Sequence, residues 1–196
     1  IFTEQGLKRL DSFMIDIGFL TKYKITIKVP KVPPPGVPKR DIYLIRAYEY
    51  PDDWEGLSDG EKHNRLLDIR LKLQAMGREK HDMIVFSFWP DTIMIKEIGD
   101  PLTVGKYLEL SNEKLNARII MAQGRQNTNY AIDLYACHPF FIQGFSTMTN
   151  GENTAFVPIR EYLMSRGVSG YTGFYSDSEV FVHILHYIHT RLGLDI

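Results

Sequence analysis

The histidines near the C-terminus are the first residues whose spacing suggests chemistry. His183, His186 and His189 recur every three residues in a predicted helix, so neighbouring imidazoles share one part of its surface. A metal site on this helix would need a third, well-placed type of ligand, and the sequence offers none. We therefore expect these histidines to be solvated or partly packed instead of binding a metal. Cys137 and His138 are adjacent, whereas a catalytic cysteine and histidine normally come from distant segments. We therefore interpret Cys137 as a core residue. No glycine-rich phosphate-binding loop occurs in the sequence.

Basic side chains surround a proline-rich segment and suggest contacts with phosphate. The candidates for binding RNA are Lys28, Lys31, Arg125 and Arg160, within a wider set that adds Lys22, Lys24, Lys39 and Arg40. Some aromatic side chains could stack on bases, although simple packing explains each of them equally well: Tyr23, Tyr48, Tyr50, Trp54 and Tyr130. The lysines also suit the edge of a sheet, where charge discourages aggregation.

The composition is that of a globular protein with no global charge. The 196 residues are 44% apolar and 24% charged, with a net charge of −1, so any surface for nucleic acid must be a local patch. This length favours one domain across residues 1–196. A single cysteine cannot form an internal disulfide, which favours an intracellular location, in the cytoplasm or nucleus. No run of about 18 apolar residues is present, so no membrane segment is expected.

The first half of the sequence contains the pattern of a strand–helix–strand unit. Apolar residues at helical spacing predict a helix over residues 6–18, with Thr3 as a possible N-cap. The proline-rich insertion at about residues 29–40 follows, as an exposed connector or a loop that contacts a partner. Residues 41–50 and 83–89 predict buried strands, and between them a helix begins after Ser58 and ends near Gly77. This order favours a parallel sheet.

The second half continues the alternation of helices and strands. A further short strand is predicted over residues 92–98, whereas residues 102–116 fit either a helix or an extended loop. The remaining predicted elements are a helix over 127–138, a strand over 140–148, a helix over 156–167, a strand over 168–176 and a helix over 177–192.

Three segments resemble the NYN family of the PIN-like ribonucleases, LabA-like proteins included. RAYEY, residues 46–50, resembles a strand of that family, and QNTNYAIDL, residues 126–134, resembles its acid-bearing helix. TNGENTAFVPIREYLMSRG, residues 149–167, resembles the turn and helix of its site. The resemblance implies an α/β fold, a PIN-like or Rossmann-like three-layer sandwich with a mostly parallel central sheet. It also implies RNA as the substrate and one or two Mg²⁺ or Mn²⁺ ions held by carboxylates.

Most acids of the family pattern are missing from the matching positions. Asn127, Asn153 and Ala155 occupy three of them, and none can supply a charge. The position of the first acid is open, because one register places Thr3 there and another places Asp16. The register that keeps residues 6–18 helical corresponds to Thr3, and Asp16 is then a solvated helix residue.

Two other carboxylates leave an active enzyme open as an alternative. Glu152 replaces one missing acid if the turn shifts by one residue, and Asp133 contributes if its helix face turns inward. We expect a catalytically degenerate domain without a metal or other cofactor, which binds single-stranded RNA or serves as a scaffold in an RNA-processing assembly. The alternatives are a Mg²⁺- or Mn²⁺-dependent endoribonuclease that uses Asp16, Asp133 and Glu152, and a protein-interaction module that binds through the proline-rich loop.

Overall fold

The computed structural model describes residues 3–27, 29, 31–124 and 133–195. The chain divides into two compact units, residues 1–118 and residues 119–196, which are described separately as unit 1 and unit 2. The prediction of a single NYN domain across the whole chain stays a prediction.

Unit 1 begins with helix α1 (Glu4–Asp16), which confirms the helix predicted from apolar spacing. The Thr3 hydroxyl caps it by accepting a hydrogen bond from the Gly6 amide at 3.0 Å. Leu10 and Met14 are buried on its inner face. Helix α1 therefore lies on the core through the stripe that the sequence predicts.

Two antiparallel strands follow, β1 (Leu20–Ile27) and β2 (Tyr43–Glu49), with Ile25 opposite Ile45. Strand β2 confirms the strand predicted over residues 41–50, but only its first residue, Tyr43, is buried. The predicted burial on both faces is wrong, since a two-stranded sheet leaves much of each strand exposed to solvent.

The proline-rich segment connects β1 to β2 and is anchored at its C-terminal end. The Val37 amide donates to the Pro34 carbonyl at 3.1 Å, in a turn that places Gly36 at a φ of 79°. The Val37 side chain is buried in a small core cluster. Arg40 binds both carboxylate oxygens of Glu97 at 2.9 Å. The anchored end is therefore part of the folded unit, while residues 31–36 lie further from the core.

Helix α2 (Asp59–Lys80) is the longest element of unit 1. The Ser58 hydroxyl accepts from the Glu61 amide, and the Glu61 carboxylate accepts from the Ser58 amide at 2.9 Å, which forms a capping box. The helix continues past the predicted end at Gly77 and ends at His81, in a left-handed conformation. Gly77 instead allows close contact with the backbone of Met83.

The remaining parts of unit 1 complete two apolar clusters. A short 3-10 helix covers Asp52–Trp54, and helix α3 (Pro101–Tyr107) begins at the Asp100 cap, within the segment for which the sequence left helix and loop open. The main core cluster combines residues of α1 and α2 with the segments that flank them: Leu10, Met14, Phe19, Trp54, Leu66, Ile69, Leu73 and Met83.

The described residues of unit 2, 119–124 and 133–195, form a hairpin and two helices. Strands β3 (Phe140–Ile142) and β4 (Phe145–Thr147) pair across a turn in which Gln143 and Gly144 have φ of 43° and 89°. Helices α4 (Phe156–Ser165) and α5 (Glu179–Leu192) confirm the last two predicted helices. The single strand predicted over 140–148 is wrong, because two adjacent residues with positive φ reverse the chain.

The predicted three-layer sandwich with a mostly parallel central sheet is wrong. The residues that the structure describes form two separate two-stranded antiparallel sheets and five α-helices. Residues 84–89, 92–98 and 168–176 form no strand, although each contains a short apolar run. Such runs occur in buried irregular segments as well as in strands, so their periodicity does not decide between them. Residues 133–138 are not helical, and the rest of the helix predicted over 127–138 lies outside the described residues.

Candidate binding cleft

Unit 1 contains a cleft of ≈ 490 Å³ whose walls are mainly apolar. Strand β2 forms one wall and residues 84–95 form another, while Leu10 and Met14 of α1 line it from the core. Its aromatic side chains come from all along unit 1: Phe19, Tyr23, Tyr43, Tyr48, Tyr50, Phe86, Phe88 and Trp89. A cleft of this size and character is typical of a ligand-binding site.

Phe19 is the centre of the aromatic packing beside the cleft. Its ring lies 5.3 Å from Trp54 at 86°, 6.2 Å from Tyr48 at 82° and 5.6 Å from Phe88 at 59°. Phe19 and Trp54 are 3% and 5% exposed, so they are fixed from behind by the core. Edge-to-face geometry of this kind stabilises the rings in defined orientations. The aromatic wall is therefore already ordered without a ligand.

Arg46 brings a positive charge into the apolar wall. Its guanidinium donates to the Asp11 carboxylate of α1, and its side chain is 12% exposed. Burial raises the pKa of the neighbouring Tyr48 hydroxyl, and the Arg46 charge partly opposes that rise. The cleft thus combines flat apolar surfaces with a half-buried cation and a phenol that stays protonated at neutral pH.

Tyr50 forms an exposed platform at one end of the cleft. Its ring stacks on Trp54 with centroids 5.3 Å apart and an interplanar angle of 19°, and Tyr50 is 42% exposed. Two cations from α2 lie beside the pair, with the Lys62 ammonium 5.8 Å from the Tyr50 centroid and the Arg65 guanidinium 5.4 Å from the Trp54 centroid. The sequence shows Tyr50 and Trp54 as aromatic residues that could stack on bases, but nothing in it indicates that they stack on each other.

Positive charge is distributed unequally between the two units. Every lysine of the chain lies in residues 1–118, whereas the basic residues of unit 2 are four arginines. Unit 1 has 12 lysines and 7 arginines against 18 Asp and Glu, a net charge of +1, whereas unit 2 has 4 arginines against 6 Asp and Glu, a net charge of −2. A phosphate backbone therefore meets more cations on unit 1, but as local patches and not as a strong net field.

Thr3 and Asp16, the two candidates for the first acid position, lie at opposite ends of α1. The Thr3 side chain is occupied as the helix cap. Asp16 is exposed at the last residue of the helix and borders a shallow depression together with Lys8 and Arg9. The helix on which the Thr3 register rests is thus observed and Asp16 is solvated, while the match of either residue to the family's first acid stays a prediction.

Asn153 is held in a turn of unit 2 by a carboxylate that the sequence reasoning missed. Its amide N–H donates to Asp177 Oδ2 at 2.8 Å, and its side-chain nitrogen donates to the Asp177 carbonyl at 3.2 Å. Its side-chain oxygen accepts from the Ala155 amide at 3.1 Å. Both ends of the Asn153 amide therefore serve the turn that precedes α4, and Ala155 is the last residue before the helix.

The other proposed catalytic carboxylates of unit 2 have local roles or face solvent. Asp133 accepts from the Tyr135 amide at 2.7 Å, as a short polar side chain does in a turn. Glu152 is exposed. Within residues 3–27, 29, 31–124 and 133–195, no group of three or more His, Cys, Asp or Glu side chains is placed to hold a metal ion.

The predicted RNA-binding residues are only partly described. Lys31 is exposed in the proline-rich segment, and Arg160 is half-buried on α4, where its charge opposes the upward shift that burial and Glu179 cause in the pKa of Tyr171. Lys28, Arg125 and the acid position Asn127 lie outside the described residues, as does Tyr130.

The histidines of α5 are packed to different degrees. His183 is 1% exposed, lies 3.7 Å from Glu179 and stacks on Tyr171 with centroids 3.7 Å apart. His186 bonds with the Gln143 side chain, and burial, together with the charge of His183, lowers its pKa to about 4. His189 is exposed, so the row is not one solvent-facing surface.

The lone cysteine is not aligned for catalysis. Cys137 is half-buried and its thiol lies 3.3 Å from the Leu134 carbonyl, as a donor to it. The adjacent His138 ring bonds with the Thr149 hydroxyl at 3.0 Å. The two neighbours contact different partners, and Cys137, which we interpreted as a core residue, is only half-buried.

Comparison of the chain with protein-family models, with curated proteins and with solved structures finds no match. The resemblance to the NYN family therefore stays a prediction. Among the described residues, no helix combines the length and the apolar character needed to cross a membrane.

Proposed function

We propose that this protein binds single-stranded RNA without cleaving it, and that the aromatic cleft of unit 1 holds one of the bases. The observation that carries the proposal is the ordered aromatic wall around a cleft of ≈ 490 Å³, which is also lined by Arg46, whose guanidinium is paired with Asp11. A base offers two flat faces and a polar edge, and such a wall offers a matching surface for each.

The platform at the end of the cleft supports a nucleic acid over a smaller aromatic ligand. Tyr50 is exposed for stacking, while Lys62 and Arg65 lie beside the Tyr50–Trp54 pair and can reach a phosphate next to a stacked base. Proteins that bind single strands combine aromatic platforms with cations that follow the backbone. The concentration of lysine in unit 1 agrees with this arrangement.

The absence of cleavage is supported by the chemistry at the acid positions. Asn153 and Ala155 carry no charge, and the Asp177 carboxylate next to them is occupied by the Asn153 amide and the Ser178 hydroxyl. A hard cation needs several oxygen ligands with negative charge, which this turn does not assemble from the described residues.

Binding is tested by fluorescence anisotropy with labelled oligouridine, oligoadenosine and duplex RNA of equal length. We expect the single strands to bind in preference to the duplex, with an affinity that falls as salt rises. The variant Tyr50→Ala should weaken binding about 5- to 150-fold, since stacking of one base is worth about 1–3 kcal/mol. Tyr50→Phe keeps the ring and should bind as the wild type does.

Tyr162→Ala is the matched control, because Tyr162 is 51% exposed but lies on unit 2. Equal losses in Tyr50→Ala and Tyr162→Ala would contradict a binding site on unit 1. If no RNA binds at any salt concentration, while a free nucleoside or another small aromatic compound does, the RNA proposal is wrong and the cleft belongs to a small-molecule binding protein.

A second experiment separates binding from catalysis. The protein is incubated with labelled single-stranded RNA and Mn²⁺, with and without EDTA, and no cleavage should be seen in either sample. Cleavage that stops with EDTA and is abolished by Glu152→Gln would show instead the metal-dependent endoribonuclease that was the alternative from the sequence.

A further inference from the structure

Asn150 and Gly151 form the only Asn-Gly pair in the sequence, and they lie between β4 and α4. Both residues are exposed. Gly151 has a φ of 146°, and the position of a side chain on it would be open space, with no atom within 4 Å. A glycine at such a position places almost no steric barrier around its own backbone nitrogen.

The side chain of Asn150 differs from that of the nearest comparable asparagine in its hydrogen bonds. Within the described part of the chain, neither the Asn150 side chain nor the Gly151 amide takes part in a hydrogen bond. Asn153, three residues later, uses its side-chain nitrogen and oxygen in bonds to Asp177 and Ala155. Asn112 accepts from the Lys114 amide at 3.0 Å.

We propose that Asn150 is a site of spontaneous deamidation in the folded protein. The Gly151 nitrogen attacks Cγ of Asn150 and forms a new C–N bond, while the bond from Cγ to Nδ2 breaks and ammonia leaves with the proton of the amide. Water then opens the cyclic imide at either carbonyl, which yields aspartate or isoaspartate at position 150. No oxidant, metal or enzyme is needed, and neither reacting group is held by a hydrogen bond to another described residue.

The reaction adds negative charge to a turn that already contains Glu152 and is contacted by the Asp177 carboxylate. Either product adds a carboxylate next to the exposed Glu152. The isoaspartyl product also lengthens the backbone just before Asn153, whose amide binds Asp177. The modified turn therefore carries more negative charge than the sequence encodes, and this inference does not depend on whether the protein binds RNA.

The test is incubation of the purified full chain at mildly alkaline pH and physiological temperature, followed by peptide mapping with mass spectrometry. We expect position 150 to convert from amide to acid faster than Asn153 and Asn112, and to contain isoaspartate. Gly151→Ala should slow the conversion at Asn150, because a side chain hinders attack by the neighbouring nitrogen. The same incubation in denaturant gives the rate that an unrestrained chain would show.

Two results would overturn the proposal. The first is a rate at Asn150 in the folded protein that is as low as the rate at Asn153, although denaturant accelerates the reaction at Asn150. The second is a rate that Gly151→Ala leaves unchanged. If Gly151→Ala unfolds the protein, because Gly151 has a φ of 146° that side chains rarely adopt, the comparison of folded and denatured wild type still decides between the outcomes.

Discussion

Gly77→Ala should destabilise unit 1, although the same change is favourable in most helices. Gly77 lies in α2, where a methyl group would meet the Met83 carbonyl oxygen at well under 3.0 Å, a separation that real Cβ atoms essentially never show. Met83 is 2% exposed and belongs to the main core cluster, so it cannot move into solvent to relieve the contact.

The expected magnitude follows from two opposing contributions. Alanine in place of glycine inside a helix is favourable by about 0.8–1.0 kcal/mol. Overpacking against a fixed core costs about 1–3 kcal/mol, and the upper end applies here because the atom in the way belongs to the backbone. The neighbouring Asp82 also anchors α1, through its carbonyl to the Thr3 amide at 3.0 Å and its carboxylate to Arg9 at 2.6 Å. We expect a net loss of about 2 kcal/mol in the free energy of unfolding.

Urea denaturation followed by tryptophan fluorescence measures this loss in unit 1 alone, since Trp54 and Trp89 are the only tryptophans and both belong to that unit. Gly60→Ala is the matched control in the same helix, because no atom lies within 4 Å of the added methyl group. It should raise the free energy of unfolding by about 0.4–1 kcal/mol. A Gly77→Ala protein that is as stable as Gly60→Ala would refute the reasoning, since Met83 would then not limit the space at Gly77.

Three further predictions concern ion pairing, pH and capping. Arg40→Met should lower the free energy of unfolding by about 3–5 kcal/mol, because the Glu97 side chain is 0% exposed and would lose its buried partner. In urea denaturation, the double variant Arg40→Met with Glu97→Leu should recover most of that loss. A double variant that is no more stable than Arg40→Met would contradict the pairing argument. Burial holds the pKa of His186 at about 4, below its ordinary value of 6.5, so the unfolded chain takes up a proton first as pH falls through that window. The contribution of His186 to the stability of unit 2 should therefore be complete above pH 6.5 and decrease as the pH falls towards 4. His186→Leu should make the free energy of unfolding less dependent on pH in this range. An NMR titration that gives His186 an ordinary pKa would show that its burial is not the reason for the pH dependence. Ser58→Ala should cost about 1 kcal/mol through loss of the capping box, whereas Ser58→Asp should cost much less, as measured by the urea midpoint.

The helices were the part of the fold that the sequence predicted well, because their signals are local. Thr3 and Ser58 cap α1 and α2 through groups three residues away, and apolar spacing marks the buried faces. The strand at 43–49 was also recognisable, but its antiparallel pairing with residues 20–27 was not. Pairing with residues 20–27 depends on a connection across the proline-rich segment, and no spacing rule specifies that contact.

The candidate sites were less predictable than the elements, because they depend on contacts between distant residues. Asp177 reaches Asn153 across 24 residues, and nothing in the turn sequence indicates this partner. The stacking of Tyr50 on Trp54 depends on a short 3-10 helix that returns the chain by one turn. The identities of the aromatic residues could be read from the sequence, but the cleft that they line could not.

The unequal distribution of lysine has a practical consequence for anyone who handles this protein. The last lysine is Lys114, so a lysine-specific protease leaves residues 115–196 as one intact fragment. Reagents and enzymes that modify lysine side chains can act only on residues 1–118, which include the proposed RNA-binding cleft. Attachment to a surface through lysine amines would therefore tether the protein through unit 1, whereas attachment through Cys137 would tether it through unit 2.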